Sequence, residues 1–228
     1  MTYYSDWKPD IVIVMHAIND LCRSFSPADY AIGEYNDLWT HFYGPSINGA
    51  RPPTFERYLL GHLEIPLNAW YSGFRNKEID YSLDKYISVM PFEENLRKIV
   101  RCLKNDNSYV ILVSQPSLYK EAMDGEELER LYFGKTIANE RLNFMRKGYP
   151  SHKSFYRGMR LFNDIVRKTA VSNNSIFVDA ANHVEKNLHN FKDDVHYTEE
   201  GARLLAGLIA GTIIENKMIE AGHEEKHQ

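Results

Sequence analysis

Late in the chain, Asp193-Asp194-Val195-His196-Tyr197-Thr198-Glu199-Glu200-Gly201 sets a carboxylate three residues before an imidazole. That spacing lets Asp193 accept a hydrogen bond from one ring nitrogen while the other faces a crevice, the orienter-and-base half of a hydrolytic triad. A plainer reading makes the two residues a capping pair for the helix that follows. Near the N-terminal end, Asn19 in His16-Ala17-Ile18-Asn19-Asp20 offers an amide donor suited to an oxyanion. The plainer reading of Asn19 and Asp20 is a turn or helix cap. A third stretch, Ser114-Gln115-Pro116-Ser117, brings a hydroxyl to the end of an apolar run. Ser114 and Cys22 are the two side chains to weigh as nucleophile. Neither lies on a sharp strand-to-helix elbow, so the expectation is a rim hydroxyl and a small buried thiol. His183, His189 and His196 are spaced by six and seven residues, which fits no compact ligand motif. No metal and no cofactor are expected.

Three elements must position these residues. Asp10-Ile11-Val12-Ile13-Val14-Met15, Tyr109-Val110-Ile111-Leu112-Val113 and Ser175-Ile176-Phe177-Val178-Asp179 are apolar at successive positions. That pattern belongs to strands covered on both faces, as in parallel sheets. Phe92, Leu96, Ile99, Val100 and Leu103 recur at helical spacing before the second strand, with Pro91 suited to a first turn. Phe155, Met159, Phe162, Ile165 and Val166 do the same before the third. Thr198-Glu199-Glu200 reads as a cap and acidic first turn for a last helix bearing Leu204, Leu205, Leu208, Ile209 and Ile213. Alternation of helices with buried strands predicts an α/β domain with a parallel sheet. In such sheets ligands bind beyond the carboxyl ends of the strands, where all three candidate stretches fall.

One domain is expected over residues 1–221, with a solvated tail at 222–228. Residues 22–90 form a long aromatic-rich insertion within it, including Tyr30, Trp39, Phe55, Trp70 and Tyr81. Two readings stand for that stretch: a satellite core, or a cap offering ring faces to a sugar or acyl group. Tyr119 to Tyr149 forms a second insertion, charged and helical, with Lys120 to Arg130 a solvated face.

Lys and Arg total 27 against 31 Asp and Glu, a net charge of −4, which argues against nucleic acid or an anionic membrane surface as partner. The longest apolar stretch, Leu204 to Ile214, is too short to cross a bilayer. Two cysteines exclude a disulfide scaffold. No apolar signal region follows Met1. Compartment stays open.

The chemistry-bearing stretches carry a resemblance. Pro9-Asp10-Ile11-Val12-Ile13-Val14 leading to Ala17-Ile18-Asn19-Asp20 resembles the third block (Gly-x-Asn-Asp) of the SGNH, or GDSL-type, hydrolase family. Asp193-x-x-His196-x-Thr198-x-x-Gly201 resembles its fifth block. The resemblance implies a three-layer flavodoxin-like fold and ester hydrolysis, with a small-molecule or carbohydrate ester as substrate. It also implies that Asn19 serves the oxyanion hole, His196 is the general base and Asp193 orients it. Ala17 stands where the family has glycine, which the turn tolerates if φ there is negative.

The family's first block, Gly-Asp-Ser, and its second-block glycine have no counterpart in these 228 residues. The resemblance therefore implies a chain truncated at its N-terminal half, without its own nucleophile and inactive alone. The alternative is a non-catalytic binding or scaffold protein on a degenerate fold. Either way the Ile11–Met15 strand would expose an unpaired apolar edge, a route to self-association.

Overall fold

The computed structural model describes residues 8–25, 78–133 and 149–219. The insertion aromatics Tyr30 to Phe74 and the tail 222–228 lie outside the described residues.

Three parallel strands form the central sheet: β1 (Ile11–Met15), β3 (Tyr109–Val113) and β5 (Ile176–Val178), in that spatial order. Registers run Ile11 opposite Tyr109 through Met15 opposite Val113, and Ile111 opposite Ile176 through Val113 opposite Val178. A two-residue parallel pair, β2 (Glu78–Ile79) with β4 (Tyr149–Pro150), stands apart from it.

Side chains alternate across a strand, and here both faces are apolar. Val110 and Leu112 belong to one core with α1 (Ile18–Ser24), α2 (Val89–Asn105) and α4 (His152–Ser172). Ile111, Val113 and Val178 face the other way, against Leu205 of α6 (Glu199–Glu215). A single turn, α5 (Ala180–His183), follows β5 directly. The result is the expected three-layer α/β arrangement. Crossover helices on one face and the terminal helix on the other is the pattern of the last three strands of a 2-1-3-4-5 sheet.

The helices form where the apolar spacing predicts them. In α2 the stripe Phe92, Leu96 and Val100 is buried; in α4, Phe155, Met159, Phe162, Ile165 and Val166 are. Both end on a left-handed asparagine, Asn107 (φ 62°) and Asn174 (φ 48°), which closes the last turn. Gly158 marks the crossing of α4 with α1: a methyl group there would lie 2.3 Å from a Leu21 methyl carbon.

Both ends of the 22–90 stretch are parts of this sheet domain, since α1 runs to Ser24 and α2 begins at Val89. Its described aromatics are core residues. Phe25 packs on Tyr81 and on Phe155, each with ring centroids 5.0 Å apart. From the second insertion the structure describes α3 (Gly125–Glu129), closed by a capping box between Asp124 and Glu127. Lys120 to Arg130 is not wholly solvated: Glu127 is buried and pairs with Lys120, whose ammonium also donates to the Lys186 carbonyl.

On its outer side β1 has no strand partner among the described residues, and Ile13 is 45% exposed. No helix among the described residues is long and apolar enough to cross a membrane.

Candidate active site

The last loop before α6 folds on its own hydrogen bonds. Asp193 Oδ1 accepts from the backbone N–H of Val195 (2.9 Å) and of His196 (2.8 Å). Its Oδ2 lies 2.8 Å from His196 Nδ1. Lys192 N–H donates to the His196 carbonyl at 2.8 Å, closing the turn. Burial would raise the Asp193 carboxyl, but bonds from the Val195 and His196 amides and the His196 ring outweigh it and hold it below the ordinary value. The imidazole is 69% exposed, and its Nε2 makes no hydrogen bond among the described residues.

Capping of α6 falls to another residue. Thr198 Oγ1 accepts from Gly201 N–H at 3.1 Å and donates to the His189 carbonyl at 2.6 Å. Gly201 is required by close approach, since a Cβ there would sit 2.1 Å from the Asn190 carbonyl oxygen. That oxygen already accepts from Thr198 N–H at 2.9 Å.

Asn19 stands in the first turn of α1, directly beyond the carboxyl end of β1. Its side chain is exposed and bonds nothing among the described residues, so it caps no helix there. Asp20 pairs with His16 Nδ1 at 2.8 Å. Ala17 is fully buried and is not among the four described non-glycine residues with positive φ, so alanine fits this turn without strain.

Long-range bonds, unmarked by any motif, hold α1 at the rim. Gln115 Oε1 accepts from Ile18 N–H at 2.9 Å. Gln115 is itself gripped by Asn163 of α4, whose Oδ1 accepts from Gln115 N–H (2.8 Å) and whose Nδ2 donates to its carbonyl (3.0 Å). The one sequence signal for this clamp is Asn163 itself, an amide beside Phe162 on an otherwise apolar helix stripe.

The two halves meet at the carboxyl ends of β1 and β3. Tyr197, next to His196, lays its hydroxyl 3.4 Å from the Pro116 carbonyl and 4.0 Å from Met15 Sδ. Burial raises the Cys22 thiol of α1, and the charge of Asp194, beside Asp193, raises it further. Val195, beside His196, shares a buried apolar cluster with Ala17, Ile18 and Leu21 around Asn19, so the helix that carries Asn19 and the loop that carries His196 belong to one core.

The remaining candidates go elsewhere. Ser114 is buried; its hydroxyl accepts from Ala181 N–H at 2.9 Å and lies 3.2 Å from Asp179 Oδ1, pinning the end of β5. His183 turns Nδ1 to the Asp179 carbonyl at 2.7 Å. Among the described residues no three His, Cys, Asp or Glu side chains converge to hold a metal. A groove of about 650 Å³ runs between β5 and α6 past Asp179, His183 and Arg203, and Asp193 and His196 do not line it.

Comparison with known proteins agrees with the blocks. The family model of the GDSL-like lipase/acylhydrolase family matches residues 4–204. The chain belongs to that family. Solved structures similar to it include an acetylxylan esterase from Geobacillus stearothermophilus, at 18% identity and TM-score 0.47, over 93% of this chain and 63% of that one. An alpha/beta hydrolase from the metagenome of Lake Arreo, Spain, matches at 14% identity and TM-score 0.41, over 91% of this chain and 61% of that one. A GDSL-like lipase from Parabacteroides merdae matches at 15% identity and TM-score 0.38, over 92% and 97%. The chain thus spans 61–63% of the length of the first two. No curated protein matches.

Proposed function

We propose that this chain carries the base-and-oxyanion half of an ester-hydrolase site. His196 acts as general base through Nε2, Asp193 holds its Nδ1 proton, and Asn19 donates its amide to the tetrahedral oxyanion. One observation carries the reading: the Asp193 carboxylate is spent on the His196 ring and the two amides of its own turn, leaving Nε2 open at the sheet rim.

The attacking hydroxyl comes from outside these 228 residues. No Gly-Asp-Ser occurs in them, and the Ser114 hydroxyl is engaged by Ala181 and Asp179. The substrate class is an ester, of which an O-acyl group on a carbohydrate is the form we favour. Support for that choice is the acetylxylan esterase among the similar structures and the ring-rich segment before Glu78.

Two measurements test the reading. A serine-directed fluorophosphonate should leave the chain unlabelled, and stoichiometric labelling at Ser114 would overturn the assignment of the nucleophile. In a longer product of the same gene bearing an upstream Gly-Asp-Ser, His196→Ala should cut kcat by on the order of 10⁵–10⁶. Asn19→Ala should cut it by roughly 10²–10³. A stop codon immediately before Met1, with no hydrolysis of any aryl ester, would favour a binding protein on a degenerate fold.

The side of β1 that has no strand partner among the described residues bears on partners. Its five residues include no charge or proline to deter pairing. The chain alone should self-associate through that edge, and Ile13→Lys should return it to monomer in sedimentation velocity. A wild-type chain that sediments as a monomer would refute this.

A further inference from the structure

Asp194 looks in sequence like one more acid beside Asp193, yet it is completely buried. Its Oδ2 accepts from the Tyr119 hydroxyl at 2.6 Å and from Phe133 N–H at 2.7 Å. Its carbonyl accepts from Leu118 N–H at 2.9 Å. A single residue therefore joins the dyad loop to the segment after β3 and to the segment after α3. Tyr119 is in turn stacked on Phe155 of α4, rings 4.8 Å apart and 8° from parallel. The connection runs without a gap from the helical core to the residue next to Asp193.

This arrangement is costly. Among the described residues Asp194 Oδ1 has no hydrogen-bond partner and no lysine or arginine pairs with the carboxyl. Burial raises its pKa to about 6, against the opposing bonds from Tyr119 and Phe133. A buried carboxylate without a cation destabilises a fold, and a neutral side chain could make the same two bonds. What the residue does contribute is a fixed backbone. With the Asp194 side chain and carbonyl both held, the Cα of Asp193, one trans peptide away, has little freedom.

We propose that Asp194 is a positioning residue for the Asp193/His196 pair: through Tyr119, Phe133 and Leu118 it fixes the loop so that Asp193 captures Nδ1 of His196 and Nε2 faces outward. This rests on the reading of His196 as general base. Asp194 touches no substrate and transfers no proton; it acts through Asp193.

The His196 tautomer reads this out, because a carboxylate at Nδ1 selects the Nδ1–H form whereas a free imidazole favours Nε2–H. Long-range ¹H–¹⁵N NMR of the whole ¹⁵N-labelled chain at about pH 8 assigns it, with dispersion of the amide spectrum as the check on folding. Wild type is expected as Nδ1–H. Asp194→Ala should shift His196 to predominantly Nε2–H, Tyr119→Phe should shift it part of the way, and Asp194→Asn should retain Nδ1–H. A folded Asp194→Ala with an unchanged tautomer overturns the proposal. If Asp194→Ala does not fold, an unchanged tautomer in Tyr119→Phe does so instead. Wild type already in the Nε2–H form would sink the base assignment itself, which separates the two failures.

Discussion

The loop that carries Asp193 and His196 and the turn that carries Asn19 stand at the same sheet rim but are held by different means. Between Lys192 and Gly201 the bonds that orient the His196 ring are local, Asp193 to its own turn, Thr198 to Gly201 and Lys192 to the His196 carbonyl, whereas Asp194 and Tyr197 tie the loop to Leu118, Tyr119, Phe133 and Pro116. In the Asn19 turn the local bonds are the Asp20–His16 pair and Leu21 N–H to the Ala17 carbonyl, and the Asn19 side chain takes part in neither. The turn's first amide is held by Gln115, 97 residues away, and Gln115 by Asn163, a further 48 along the chain. A carboxylate–imidazole bond three residues apart can be written into a short stretch of sequence. A helix start at a strand end, such as the one that carries Asn19, is pinned by what the fold brings beside it.

Substitutions can break or sharpen that contrast. The largest effect is expected from Gly201→Ala. Its methyl would meet the Asn190 carbonyl oxygen at 2.1 Å, and that oxygen is fixed by Thr198. Urea unfolding should show a loss of about 4 kcal/mol or outright failure to fold. Near-wild-type stability would mean the dyad loop is looser than its bonds imply.

Second comes the pH dependence set by Asp194. Its folded pKa of about 6 lies above the 3.8 of the unfolded chain, so the folded state binds the proton more tightly. That contribution is fully present below pH 3.8 and is lost as pH rises through 6, a change of about 3 kcal/mol. Of the facing groups, the Asp193 charge raises Asp194 further and the bond from Tyr119 opposes the rise, while Tyr119 and Cys22, themselves raised by burial first, stay protonated across this range. Urea midpoints taken from pH 4.5 to 8 should fall for wild type and flatten for Asp194→Asn. Parallel curves for the two would remove Asp194 as the source.

Asn163→Ala tests the long-range half. Losing both bonds to Gln115 should cost about 2 kcal/mol and speed hydrogen exchange at Ile18 N–H, leaving the Lys192–Gly201 amides as they were. Unchanged exchange at Ile18 would show that α1 is held by packing alone. Smallest is Thr198→Ala, about 1 kcal/mol for a lost cap.

Much of this architecture is legible in the order of the residues. Alternating faces in Val110-Ile111-Leu112-Val113, the stripes of α2 and α4 and the Thr198 cap all depend on neighbours within one turn or one strand. The Asp193–His196 bond is equally local. The clamp through Gln115 and Asn163 is not legible in this way, because each side chain is a common polar residue until the fold sets it opposite its partner. Burial of Glu127, in a run that reads as solvated, follows from Lys120 and the Lys186 carbonyl, and the latter lies 66 residues from Lys120.

Sequence alone determined the α/β alternation, the three strands of the central sheet, the helices α2, α4 and α6 and the pairing of Asp193 with His196, since those rest on periodicities of two and 3.6 residues and on contacts three or four residues apart. Tertiary structure decided that Asp194 is buried and Asn19 exposed, that Ser114, after β3, is spent on pinning the end of β5, and that β1 meets a strand on one side among the described residues. The physical reason is range. A side chain's solvent and partners are set by segments tens of residues away, and no local pattern encodes which of them arrives.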